Sequence, residues 1–133
     1  MSTDSTRILV VDDEEDILSI ARLLLEKAGF VVDCVGGGDE AVKHIEQHGY
    51  DLVITDMLMP EMDGVELINS VRRMNPEQRI LAMSGGGHAP RESYLQIASM
   101  YGVNGVLAKP FNRQQLLKAI TDCGVTKTTG ESN

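Results

Sequence analysis

Repeatedly along this chain of 133 residues, a short, mostly continuous apolar run gives way to a stretch in which apolar residues recur at three- and four-residue steps. A run that is apolar at every position reads as a strand buried on both faces, and such strands belong to parallel sheets covered by helices. Ile8-Leu9-Val10-Val11 predicts the first strand, Val31-Val32 through Val35 the second, and Leu52-Val53-Ile54-Thr55 a third that is central. Ile80-Leu81-Ala82-Met83 and Gly105 to Ala108 predict the fourth and fifth. Between them, Ile17, Ile20, Ala21, Leu24 and Ala28 mark a helix stopped by Gly29, and Ala41, Val42 and Ile45 one that halts at Gly49. Val65, Ile68, Val71 and Met74 form a third stripe, which Asn75-Pro76 ends because proline disfavours helix in the residue before it. A weaker helix carries Tyr94, Ile97, Ala98 and Tyr101 up to Gly102. The last opens on Asn112 as cap, with Gln115 reaching back and Phe111 stapled onto Leu116, and runs to about Cys123.

Right-handed crossovers wind such a chain into a doubly wound α/β domain with helices on both faces of a five-stranded sheet. One domain is all that this length supports. Twenty acidic against twelve basic side chains leave a formal charge of -8, which argues against direct nucleic-acid binding and against anionic membranes. No apolar run approaches the ~20 residues of a spanning helix, and the polar start is no signal peptide. Cys34 and Cys123 are too few for a disulfide framework or zinc site, so both are expected to be buried free thiols in a reducing cytoplasm.

In a doubly wound sheet, ligands bind beyond the carboxyl ends of the strands where the winding reverses. The first strand ends in Asp12-Asp13-Glu14-Glu15-Asp16. Helix capping accounts for Glu14, Glu15 and Asp16, since carboxylates in a first turn complement the helix dipole. Asp12 and Asp13 sit where the strand stops, and capping explains them less well. Asp56 follows the third strand, Ser84 the fourth and Lys109 the fifth. Three carboxylates on one sheet edge repel one another unless a cation joins them, and an all-oxygen set suits Mg²⁺. Lysine is a natural point charge for a phosphoryl group, and Ser84 can donate to one of its oxygens. The edge asks for a divalent metal and a phosphate together.

Four segments, in this order and spacing, resemble the signature of two-component response-regulator receiver domains of the chemotaxis single-receiver type. They are Val11-Asp12-Asp13-Glu14, the stretch from Asp56-Met57-Leu58-Met59-Pro60 to Asp63-Gly64, Met83-Ser84-Gly85, and Ala108-Lys109-Pro110. The resemblance implies a flavodoxin-like strand order of 2-1-3-4-5, with the receiver over residues 6–123. A disordered N-terminus over 1–5 and a flexible tail over 124–133 are expected around it. It implies Asp56 as phosphoacceptor, and Asp12, Asp13, Asp56 and the Leu58 backbone carbonyl as Mg²⁺ ligands. It further implies that Lys109 pairs with the phosphoryl group and that Ser84 is the switch hydroxyl. The donor would be a phosphohistidine on a sensor histidine kinase or a histidine phosphotransfer protein. The switched surface would lie around the fourth predicted helix and fifth strand, where it would control a downstream protein and allow weak phosphorylation-dependent dimers. Such a chain is a cytoplasmic phosphoacceptor with slow self-dephosphorylation and not a turnover enzyme.

Two departures from the family bear on switching. Val106 stands where many receivers carry an aromatic residue, so no aromatic lever is expected. Ser84-Gly85-Gly86-Gly87-His88 is glycine-rich, which predicts a loop that is mobile until a phosphoryl group orders it. Without GK[ST] it is no P-loop, and His88, His44 and His48 read as surface residues. Resemblance also places the side chains at 58 and 86 beside the water approach; Leu58 and Gly86 offer no polar group there, hence the slow hydrolysis. A haloacid-dehalogenase phosphatase would need Asp-x-Asp-x-Thr after the first strand, and a flavin site a hydroxyl-rich loop there; neither is present. The remaining rival is a non-phosphorylated pseudo-receiver that works as an interaction module. The polar tail favours a stand-alone receiver over one part of a longer regulator.

Overall fold

The computed structural model describes residues 6–57, 64–84 and 102–125. β1 (Arg7–Val11) lies between β2 (Val31–Val35) and β3 (Leu52–Asp56), and beyond β3 the sheet continues through β4 (Ile80–Ser84) to β5 (Gly105–Ala108). Every pairing is parallel, and the order is β2-β1-β3-β4-β5, as expected. The strands alternate their side chains between two apolar layers. Ile8, Val10, Ile54, Leu81 and Leu107 join one layer with Leu25, Leu116 and Ile120, so α1 (Glu15–Lys27) and α4 (Arg113–Asp122) cover that face. Leu9, Val11, Val53, Ile80 and Ala82 join the other with Ala41, Leu67 and Val71, so α2 (Gly38–Gln47) and α3 (Gly64–Met74) cover the opposite one. Each large side chain buried this way contributes about 1.5–3 kcal/mol of transfer free energy.

The helix ends follow local rules. Gly29, at φ 99°, closes α1 in the left-handed region, and Phe30 N–H then donates to Leu25 O at 3.1 Å. At α4, Asn112 Oδ1 accepts from Gln115 N–H at 2.8 Å while Gln115 Oε1 accepts from Asn112 N–H at 2.9 Å, the reciprocal box anticipated from sequence. Phe111 packs against the layer that holds Leu116. Away from the carboxyl ends of the strands, the Arg72 guanidinium donates to the carbonyls of Pro76, Gln78 and Gly102, tying α3 to the approach to β5.

Two stripes differ from expectation. In α1, Ile20 is 45% exposed and Leu25 fully buried. Apolar residues occupy so much of that helix that spacing alone did not choose its inner face. In α3, Met74 is 39% exposed and Leu67 fully buried, because the inner line of the helix runs through Leu67, Ile68 and Val71. Cys123 is buried as expected, but Cys34 is only half-buried; both are free. His44 is half-buried and His48 exposed. The helix expected around Tyr94 to Tyr101, the glycine-rich loop and His88 lie outside the described residues. No helix among the described residues is long and apolar enough to cross a membrane.

Candidate phosphoryl and metal site

The winding reverses between β1 and β3, and both strands deliver carboxylates to that edge. Asp12 follows β1 directly, its N–H bonded to Val35 O at 3.2 Å, and its side chain is fully buried. Asp56 is the last residue of β3 and is also buried. Asp13 is exposed, on the solvent side of the pair. One oxygen from each of Asp12, Asp13 and Asp56 lies within 4.8 Å of the others. Among the described residues these three form the acidic group able to hold a metal ion.

A buried carboxylate is tolerable only when partnered. Asp12 Oδ1 accepts from Glu14 N–H at 2.9 Å, and Asp12 Oδ2 accepts from Lys109 Nζ at 3.0 Å. Lys109 reaches this point because β5 pairs with β4 up to Ser84↔Ala108, and Lys109 N–H then donates to Ser84 O at 2.9 Å. Its ammonium lies 3.6 Å from Asp56 Oδ1 and 3.0 Å from Glu14 Oε1. Burial alone would lower the Lys109 pKa, but hydrogen bonds to Asp12 and Glu14 and the Asp56 charge outweigh it and hold the pKa above its ordinary value. Lys109 is therefore a fixed cation among carboxylates.

Ser84 ends β4, one residue beyond Met83, the register partner of Asp56; it is half-buried. Val106 pairs with Ala82 in β5 and packs, half-buried, on the α2 and α3 side. Asp12, Asp13, Asp56 and Lys109 thus meet at one point, with Ser84 on the neighbouring strand end. Leu58, Gly85 and Gly86 lie outside the described residues. Glu14 is the residue that sequence reasoning assigned wrongly. It occupies the N-cap position of α1, but its side chain makes no cap and turns instead to Lys109. The available signal was its type, since glutamate is a poor N-cap.

Donor chemistry decides what this arrangement accepts. Carboxylate oxygens without imidazole or thiolate suit a hard divalent cation, and the exposed Asp13 leaves such an ion room for water ligands. The cluster is compatible with a metal site.

Comparison with known proteins settles the family. The model of the response regulator receiver domain matches residues 8–121. The chain belongs to that family. Among solved structures, the receiver resembles the chemotaxis response regulator CheY4 of Vibrio cholerae, with a TM-score of 0.79 and 30% identity over 90% of this chain and 98% of that one. It is 33% identical over 121 residues to the CAI-1 autoinducer sensor kinase/phosphatase CqsS of Vibrio cholerae, covering 90% of this chain and 17% of the relative. It is 31% identical over 115 residues to the transcriptional regulatory protein ResD of Bacillus subtilis, covering 86% of this chain and 46% of the relative. The receiver thus spans less than half the length of either of these two curated relatives.

Proposed function

We propose that this receiver takes a phosphoryl group from a phosphohistidine, on a sensor histidine kinase or a phosphotransfer protein, onto Asp56. The observation that carries the reading is the Asp56 carboxylate at the end of β3, within 4.8 Å of the Asp12 and Asp13 oxygens and 3.6 Å from Lys109 Nζ. An Asp56 oxygen attacks phosphorus, the new O–P bond replaces the N–P bond, and the departing imidazole keeps the electron pair. Lys109 offers its ammonium to the oxygens of the transferring group and so opposes the charge that builds there. Asp12, Asp13 and Asp56 are the residues that would hold Mg²⁺, joined in the family reading by the Leu58 carbonyl; the ion would neutralise charge on the transferring oxygens.

The acyl phosphate carries about -2 charge and three acceptor oxygens that Asp56 lacked. Ser84, on the adjacent strand end, can donate to one of them. The same displacement would draw Lys109 and, through β5, the neighbourhood of Val106, so that the surface near β5 controls a downstream protein. In this reading the protein is a cytoplasmic signalling module that hydrolyses its own phosphoryl group slowly and turns over no substrate. Labelling with acetyl phosphate and Mg²⁺ tests it. The parent should take up one phosphoryl group, and Asp56→Asn none while keeping its fold. Stoichiometric labelling of Asp56→Asn would move the acceptor elsewhere, and an unlabelled parent would favour the pseudo-receiver.

A further inference from the structure

Serine, threonine, aspartate and asparagine are the side chains that cap helices well. Glu14 occupies the N-cap position of α1 without making any side-chain cap. Its Oε1 instead lies 3.0 Å from Lys109 Nζ, closing a contact between residues 95 apart in sequence. The Glu14 N–H bonds Asp12 Oδ1, so the turn that orients Asp12 also aims Glu14. Lys109 therefore holds two hydrogen bonds on the β1 side, to Asp12 and Glu14. Its 3.6 Å contact with Asp56 Oδ1 is an ion pair too long for a hydrogen bond. Glu14 stands outside the Asp12, Asp13 and Asp56 group, and that group does not need it.

From this geometry we infer that Glu14 is a positioning residue for Lys109. It tethers the ammonium to the β1 loop while Asp56 is unmodified and releases it when phosphoryl oxygens arrive at Asp56. The release half rests on the phosphoacceptor reading above; the tether does not. Glu14 is 61% exposed, so its pull on Lys109 is screened by water. A phosphoryl group beside Asp56 brings more charge and more acceptors, and wins the ammonium. Until then the tether opposes that transfer, so Glu14 weakens every ligand that needs Lys109 at Asp56.

The test uses Glu14→Gln, which keeps size and removes charge. Glu15→Gln is the control, since it removes the same charge from the adjacent exposed position in the first turn of α1. Three proteins are compared: parent, Glu14→Gln and Glu15→Gln, each with α1 checked by circular dichroism. In metal-free protein labelled at lysine Cε, the Lys109 resonance should move in Glu14→Gln and stay in Glu15→Gln. With Mg²⁺ present, beryllofluoride, an analogue of the phosphoryl group, should bind Glu14→Gln about two- to fivefold more tightly than the parent, or roughly 0.4–1 kcal/mol. Glu15→Gln should stay within the spread of the parent. An unmoved Lys109 resonance, or equal movement in both variants, overturns the tether. Equal beryllofluoride affinities in Glu14→Gln and Glu15→Gln overturn the release. If the parent binds no beryllofluoride, the phosphoacceptor reading falls and the release with it, and the metal-free resonance alone decides the tether.

Discussion

At the scale of single residues, the site is a graded series of carboxylates. Asp12 is buried and fully partnered, Asp56 is buried beside Lys109, Asp13 is exposed, and Glu14 reaches in from outside the acidic group. One ammonium serves Asp12, Asp56 and Glu14, and Asp13 stands exposed beside them. Asp13→Asn should therefore separate two effects. Calorimetric titration should show Mg²⁺ binding weakened about tenfold or more, ~1.4 kcal/mol. The metal-free protein should become more stable by about 0.5 kcal/mol, as one repelling charge at the surface is removed. Unchanged Mg²⁺ affinity would remove Asp13 from the ligand set. The strand-end acids and Lys109 were legible in the sequence because a parallel sheet brings all strand ends to one edge. The work of Glu14 was not, because a carboxylate before a helix satisfies a local rule, and its partner is 95 residues away.

At the scale of elements, short apolar runs identified all five strands, although Asp33 interrupts the run in the edge strand β2. Helices covered on one side were harder. α1 is apolar at Ile17, Leu18, Ile20, Ala21, Leu23, Leu24 and Leu25, and only the docked sheet shows that Ala21 and Leu25 face inward while Ile20 and Leu23 face out. The contact between α4 and β5 was equally invisible beforehand. A Cβ added at Gly105 would stand 2.9 Å from Cys123 Sγ and 3.3 Å from Leu81 Cδ1. Gly105→Ala should accordingly cost about 1–3 kcal/mol in urea denaturation, the usual range for overpacking. Cys123→Ala in the same chain removes the sulfur and should recover part of that loss, so the pair should be non-additive. Additive costs would mean that Cys123 is not what Gly105 accommodates.

At the scale of the whole molecule, stability should fall on the alkaline side. Burial, then the hydrogen bond donated to Asp33 at 2.6 Å, pushes Tyr50 up to about 12 from an ordinary 10. Burial, then the Asp122 charge, pushes the Cys123 thiol up to about 11 from 9. The folded chain keeps these protons at a pH where the unfolded chain has lost them. Their stabilisation is thus complete below about pH 9 and disappears as pH climbs through 11 and 12. Tyr50→Phe should lose less stability than the parent between pH 8 and pH 11 in matched denaturant titrations; an identical loss would rule Tyr50 out. The reach of Lys109 across 97 residues to Asp12 has a consequence for synthesis. A ribosome delivers Asp12 long before it delivers Lys109. In that interval, closing β1 against β3 would bury a carboxylate with no cation beside it. The nascent chain is therefore expected to leave this edge of the sheet wet, and the emergence of β5 is what lets it dry.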